Sequence, residues 1–327
     1  MALMGRNAVP ARTWVPHVSR LLRDVGPFAL RSSVVRTQPP EDKSANEGAS
    51  EKARRERRHA LIVPREHGAW GLLLVPMVTG AGVAFRESHY VLPFLLLLAA
   101  GLALFWLRTP VESLLGTSAM RAQTNEERRE VAVVIVGLAA VAALALAMLL
   151  WAGRNAALWL IGGAATAAFL AQALLKKLGR AFRMFSEIVG TIGLTSSAPA
   201  AYYVVTGRFG ATAWMLWLAN LIFAGNQVHY VQLRIHTARV EGVGAKLAHG
   251  WPFAVGQGVM VTVLCVACLR GLMPWPALVA FVPILFRGWF YFFRKPGPLA
   301  VRRLGWSELG QAIAFCLLFI AAFTLGQ

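Results

Sequence analysis

Polar side chains that could bind an anion or transfer a proton are concentrated in residues 225–242, GNQVHYVQLRIHTARVEG. They follow an apolar run, ATAWMLWLANLIFA, of the kind found in membrane helices. At about 100° per residue, five of these side chains fall within an arc of about 140°, and they are Asn226, His229, Gln232, His236 and Arg239. A polar stripe on a membrane helix must face protein or water. The stretch therefore predicts a helix that lines a polar cavity.

Three other polar clusters lie where apolar runs begin or end, and we expect them to meet the stripe. Arg65, Glu66 and His67 stand in PREHGAW, Arg108 and Glu112 are one helical turn apart in LRTPVES, and a basic segment, KKLGRAFRMFSE, starts at residue 176. Guanidinium groups bind phosphates and carboxylates directly. Histidine changes its charge near neutral pH and can act as an acid or base.

These properties assign candidate roles. The predicted catalytic residues are His229, His67 and Glu112. The predicted substrate-binding residues are Arg108, Asn226, Gln232, Arg234, His236, Arg239 and Arg65, although Arg234 points away from the arc.

The composition predicts an all-α protein that crosses a membrane several times. Hydrophobic residues make up 57% of the 327-residue chain, whereas soluble domains contain about 45–50%. Nine apolar segments have about the length that spans a bilayer as a helix. They lie at 69–85, 90–107, 131–152, 156–175, 187–206, 211–233, 251–269, 273–293 and 306–325. A helical membrane bundle is therefore expected from residue 61 to the end.

The distribution of positive charge predicts the orientation of this bundle. The net charge is +18, but most of the basic residues lie in the first 65 residues and in short loops, which is typical of topology signals and argues against nucleic-acid binding. With the N-terminus in the cytoplasm, the inside loops hold 15 Lys and Arg and the outside loops hold four. We therefore expect a cytoplasmic N-terminus, an external C-terminus and a location in a bacterial inner membrane.

Residues 1–60 differ from the rest of the chain. The first forty are rich in Arg and contain one acidic residue, Asp24, and the segment 37–58 is highly charged. Such composition predicts a disordered basic tail. A leader peptide and a misassigned start codon are alternative interpretations of the same residues.

Arg287 is a charged residue about seven positions inside an apolar segment. An unpaired charge at that depth costs at least about 2.5 kcal/mol. We therefore expect a partner for Arg287, which the sequence does not identify.

Several stretches resemble the YwiC-like family of membrane proteins. The most specific is PREHGAWGLLLVP, and RTPVES, EIVGTIGLTSSAPAAYYVVTG and VHYVQLRI are also similar. Nine helices with polar loops after the second and sixth more distantly resemble the UbiA superfamily of intramembrane prenyltransferases. That resemblance implies a UbiA-like bundle that binds an isoprenoid or another lipid with an anionic head group.

The UbiA resemblance also implies two aspartate-rich motifs that hold Mg²⁺, and this chain departs from it there. The corresponding segments begin at Arg108 and Asn226 and contain no Asp, since the last Asp of the chain is Asp42. Mg²⁺ binds chiefly carboxylate and phosphate oxygens, so we expect no metal and no cofactor. The functional hypotheses are a degenerate UbiA-like enzyme that acts on a prenyl or lipid substrate and, alternatively, a non-catalytic transporter or lipid-binding accessory protein.

Overall fold

The protein is all-helical throughout the residues that its structure, a computed structural model, describes: 43–64, 67–116, 120–154, 156–179, 182–295, 297 and 300–325. Eleven α-helices are present in this part of the chain. They are α1 (Lys43–Ile62), α2 (His67–Ala84), α3 (Val91–Leu114), α4 (Asn125–Trp151), α5 (Ala156–Leu178), α6 (Arg183–Thr195), α7 (Ser197–Thr206), α8 (Ala211–Thr237), α9 (Val243–Leu269), α10 (Val282–Phe293) and α11 (Val301–Leu325). A 3₁₀ helix, Trp275–Phe281, precedes α10 directly.

Helix α1 differs from the sequence-based expectation of a disordered tail up to residue 60. Residues Lys43–Ile62 are helical, and the end of this helix is packed, since Ala60 and Leu61 are buried. The indole Nε1 of Trp106 donates a hydrogen bond of 2.8 Å to the carbonyl oxygen of Ile62. Charge composition alone missed this helix because its partners lie far away in sequence. Residues 1–42 lie outside the described part of the chain.

Seven helical segments are long and apolar enough to cross a membrane, which confirms a multi-pass helical membrane protein. They are Val91–Leu114, Asn125–Trp151, Ala156–Leu178, Met184–Thr206, Val243–Leu269, Trp275–Phe293 and Arg302–Phe323. Two further predicted segments are helical, but Trp70–Ala84 is short and α8 carries the polar stripe. The count of nine crossings therefore stays a prediction.

Helices α2 and α7 form the centre of the bundle. Every residue from Ser197 to Val205 is buried, and a side chain at Gly80 of α2 would collide with the carbonyl oxygen of Ala198. The predicted fifth segment is interrupted at Ser196, between α6 and α7. Pro199 has no N–H to donate to the preceding turn, which accounts for a break at this position.

Helices α8 to α11 pack through aromatic rings and glycines. The rings of Phe223 on α8 and Phe315 on α11 stack with centroids 4.0 Å apart. On α9, an added Cβ at Gly250 would lie 2.6 Å from Leu233 Cδ1 of α8. On α10, an added Cβ at Gly288 would lie 3.0 Å from the Phe253 ring. These close approaches bring polar side chains of four helices together.

Candidate functional site

A buried ion pair joins α10 to α11. Arg287 donates a hydrogen bond from Nη1 to Oε1 of Glu308, and the two side chains are only 10% and 16% exposed. The guanidinium carbon of Arg287 also lies 4.0 Å from the centre of the Tyr230 ring on α8. Glu308 therefore provides the partner that a charge inside a membrane segment requires.

Two more cations surround the neighbouring tyrosine. Arg234 Nη1 lies 3.4 Å from the hydroxyl oxygen of Tyr230, and its guanidinium carbon lies 5.0 Å from the ring centre of Tyr291. Lys246 Nζ lies 5.1 Å from the same ring centre and donates a hydrogen bond to the carbonyl oxygen of Arg294. We call the six side chains the cationic cluster: Tyr230, Arg234, Lys246, Arg287, Tyr291 and Glu308.

The cationic cluster carries an excess of positive charge. Arg234, Lys246 and Arg287 are three cations, and Glu308 is the one carboxylate among the six side chains, which leaves a formal charge of +2. Lys246 is only 2% exposed. Like charges held together away from water repel each other strongly. An anion placed among these groups would lower that repulsion.

Several buried atoms at the cluster and next to it have no hydrogen-bond partner among the described residues. Within the cluster these are Nε and Nη2 of Arg287 and Oε2 of Glu308. The side-chain oxygens of Asn226 on α8, Gln257 on α9 and Gln311 on α11 share this property. An unpaired buried polar group costs about 1–3 kcal/mol. These atoms therefore favour a polar ligand or bound water at this position.

An apolar crevice lies between α8 and α9, towards the N-terminal end of α8. It is narrow, and the side chains that line it are apolar. Met215, Ala219 and Ile222 of α8 and Val263, Leu264 and Ala267 of α9 contribute to its walls. Polar groups thus occupy the C-terminal part of α8, and apolar surface occupies the N-terminal part.

Comparison with known families gives a match to the first half of the bundle. Residues 63–202 match the model of the YwiC-like protein family. This segment is similar to that family, and we call it the YwiC-like segment. The match confirms the resemblance suggested by PREHGAWGLLLVP, and it covers α2 to α6 and most of α7. No curated protein and no solved structure matches the chain.

The cationic cluster lies beyond the YwiC-like segment, because its residues come from α8 to α11. The predicted polar residues of the second and third clusters lie inside it. Arg108 Nε donates a hydrogen bond of 3.0 Å to Glu112 Oε1, and Lys176 Nζ of α5 lies 3.9 Å from the same oxygen. These contacts join α3 to α5 within the YwiC-like segment.

The first predicted cluster is described only in part. Arg65 and Glu66 lie outside the described residues, and His67 is the first residue of α2, with its side chain also outside the described part. The predicted convergence of this cluster and of Arg108 with the stripe on α8 stays a prediction.

The stripe residues of α8 have different environments. Asn226 Nδ2 lies 3.7 Å from Met260 Sδ, and the His229 ring packs edge-on against Phe253 with centroids 5.3 Å apart. Gln232 Nε2 donates a hydrogen bond of 3.1 Å to Glu187 Oε2 of α6, which lies in the YwiC-like segment. His236 and Arg239 are exposed. Arg234, on the other side of the helix, is the predicted residue that belongs to the cationic cluster.

Sequence reasoning missed six residues of this region: Tyr230, Lys246, Tyr291, Glu308, Gln257 and Gln311. Glu308 had a detectable signal, since it lies inside the last apolar segment, where an acidic residue needs a cation. The two tyrosines had none, because a tyrosine in a membrane helix is ordinary.

Within the described part of the chain, no group of three or more His, Cys, Asp or Glu side chains could hold a metal ion. The donors that the site does offer are cationic and amide groups, which bind oxyanions and hydroxyl groups rather than metals.

Proposed function

We propose that this multi-pass membrane protein binds an amphipathic lipid with an anionic head group. The head group would occupy the cationic cluster at the cytoplasmic end of α8, and the chain would follow the apolar crevice between α8 and α9. The observation that carries the proposal is the excess of cations around Tyr230 and Tyr291, where Lys246 and the side chain of Arg287 are buried and Arg234 is half-buried. Anionic groups are the ligands that offset such a charge.

The spacing along α8 suits this kind of ligand. Arg234 and Ile222 are twelve residues apart, which corresponds to about 18 Å along a helix. Asn226 and Tyr230 lie between them. Along α8 the side chains therefore change from charged to polar and then to apolar. A lipid with a short polar head and an extended chain has the same order of polarity.

The supporting contacts position charge and apolar surface, and a UbiA-like catalytic step would require reacting groups that these contacts do not define. His229 and Glu112 remain the residues that we would test first for catalysis.

Native mass spectrometry of the protein, released from detergent, tests the proposal directly. We expect anionic lipids to remain bound to the wild type. Binding should weaken by about tenfold in Arg234→Gln, since a charge-assisted hydrogen bond is worth about 1.5–3 kcal/mol. Arg208→Gln is the matched control, because Arg208 is 79% exposed and pairs with Glu87, away from the cluster. Equal retention of zwitterionic and anionic lipids by all three proteins would contradict the proposal.

A further inference from the structure

The Arg287–Glu308 pair uses only one donor and one acceptor. Nη1 of Arg287 contacts Oε1 of Glu308, while Nε and Nη2 of Arg287 and Oε2 of Glu308 have no partner in the described part of the chain. A guanidinium group paired with a carboxylate often makes two parallel hydrogen bonds. Here the second hydrogen bond is not made, and each side chain keeps polar atoms without a partner in the described structure.

The unused donors of Arg287 form one edge of the guanidinium group. The hydrogens on Nε and Nη2 point in the same direction and fit two oxygens of one phosphate or carboxylate. The edge is buried, and the Tyr230 ring covers one face of the group at 4.0 Å. The free edge is therefore oriented for an oxyanion rather than for solvent.

The unused acceptors lie on α11. Glu308 Oε2 and Gln311 Oε1 are buried and unpartnered in the described structure, and the two residues are three positions apart on one helix face. A carboxylate oxygen accepts hydrogen bonds only. It would repel a fully ionised head group that presents nothing but oxygen lone pairs.

We propose, on the basis of the lipid-binding function above, that the head group is a phosphate monoester that retains one O–H. Two of its oxygens would accept hydrogen bonds from Nε and Nη2 of Arg287, and its O–H would donate to Glu308 Oε2. Arg234 and Lys246 would supply the remaining positive charge. A sulfate ester, a phosphate diester or an ionised carboxylate has no such hydrogen and would fit the donor edge but not the acceptor.

Two probes with the same chain separate these head groups. Dodecyl phosphate and dodecyl sulfate would be titrated at low mole fraction into the full-length protein in maltoside micelles at about pH 6, where roughly half of a phosphate monoester retains its second proton. Binding is measured from the shift of the thermal unfolding midpoint. We expect dodecyl phosphate to bind about tenfold more tightly than dodecyl sulfate, because the sulfate lacks the O–H donor.

Glu308→Gln should change the affinities for the two probes differently. Removal of one negative charge should strengthen binding of dodecyl sulfate. The variant should then bind dodecyl phosphate and dodecyl sulfate with about equal affinity. Gln311→Met keeps the charge and the approximate size and should lower the preference by only about twofold. If Glu308→Gln fails to fold, the wild-type preference and the Gln311→Met variant still decide the question.

The outcomes separate this inference from the binding proposal. Equal affinity of the wild type for both probes, with measurable binding, would overturn the phosphate monoester and leave the anionic lipid in place. If neither probe binds, both the phosphate monoester and the lipid-binding function are overturned. Inorganic phosphate at the same concentration is the third probe. If it stabilises the protein as much as dodecyl phosphate does, the site binds phosphate without a lipid chain, and the proposed lipid binding is overturned.

Discussion

Arg57 on α1 donates a hydrogen bond from Nε to Oε1 of Glu127 on α4 over 2.7 Å. The Glu127 carboxylate raises the pKa of the Arg57 guanidinium through this hydrogen bond. Two neighbouring pairs repeat the contact, since Arg58 lies 2.8 Å from both Glu126 and Glu130. Ion pairs therefore hold the second half of α1 against the first turns of α4.

These contacts predict a boundary between a removable and a necessary part of the N-terminal region. Residues 1–42 contain no apolar segment long enough to span a membrane, so their deletion should leave the thermal unfolding midpoint in detergent unchanged. Deletion of residues 1–62 should lower it, because the ion pairs to α4 and the contact of Ile62 with Trp106 are lost. The sequence alone predicted a disordered tail over residues 1–60, and such a tail would be dispensable for stability. Equal midpoints for the two deletions would support that simpler view.

The start of α4 supplies a second prediction. Thr124 accepts a hydrogen bond from the backbone N–H of Glu127, and Glu127 accepts one from the backbone N–H of Thr124, which together form a capping box. Thr124→Ala should lower the free energy of unfolding by about 1 kcal/mol. Thr124→Ser retains the hydroxyl group and should remain within a few tenths of the wild type. Denaturant titration of both variants measures the difference, and equal losses would show that the hydroxyl does not cap.

The membrane class and most of the helices could be predicted because they depend on local properties. Long apolar runs indicate spanning helices, and all nine predicted segments are helical in the structure. The segment ends were less accurate, since helix α3 continues past residue 107 to Leu114. A helix continues through polar residues wherever neighbouring helices satisfy them, and hydropathy does not register this.

The candidate site was predictable only in part because it depends on contacts across the bundle. The polarity of residues 225–242 drew attention to α8, but the stripe gave no indication that the cationic cluster lies on another side of this helix. Arg234 lies off the predicted arc, yet it contacts Tyr230 and approaches Tyr291. Lys246 looked like an ordinary loop cation. Its burial results from the packing of α9 against α10, which no local pattern reveals.

Close packing of α9 predicts a large effect at one glycine and none at another. An added Cβ at Gly250 would lie 2.6 Å from Leu233 Cδ1 and 2.9 Å from Phe292 Cε1, whereas nothing lies within 4 Å of one at Gly258. Gly250→Ala should therefore lower the free energy of unfolding by about 1–3 kcal/mol. Gly258→Ala, on the same helix, should be neutral or stabilise by up to about 1 kcal/mol. Similar effects at both sites would mean that α8, α9 and α10 adjust without strain.

The predicted orientation can be checked with reporter fusions at loops that the structure places between helices. Gly153 lies between α4 and α5, and Gly207 lies between α7 and α8. With a cytoplasmic N-terminus, both positions should be external, since the charge distribution leaves the basic loops inside. A fusion within the basic loop at Glu241, between α8 and α9, is the control and should be cytoplasmic. A cytoplasmic signal at Gly207 would show that the orientation is the opposite of the predicted one or that the number of crossings before α8 is different.

The last prediction concerns the stability of the buried pair between Arg287 and Glu308. Each side chain is largely removed from water, at 10% and 16% exposure, and each depends on the other for charge compensation. Arg287→Met or Glu308→Leu alone leaves an uncompensated buried charge and should cost about 3–5 kcal/mol. The double variant removes both charges and should recover most of that loss, because apolar residues of similar size often replace a buried ion pair without penalty.

Thermal and denaturant unfolding of the wild type, the two single variants and the double variant form a double-mutant cycle. A coupling energy of about 2 kcal/mol or more would show that the pair acts as a unit. Additive losses would show that water, rather than the partner side chain, compensates each charge. In the double variant the cationic cluster keeps Arg234 and Lys246, so binding of dodecyl phosphate should weaken but not vanish. An unchanged affinity would exclude Arg287 from the binding site even where the ion pair proves to be stabilising.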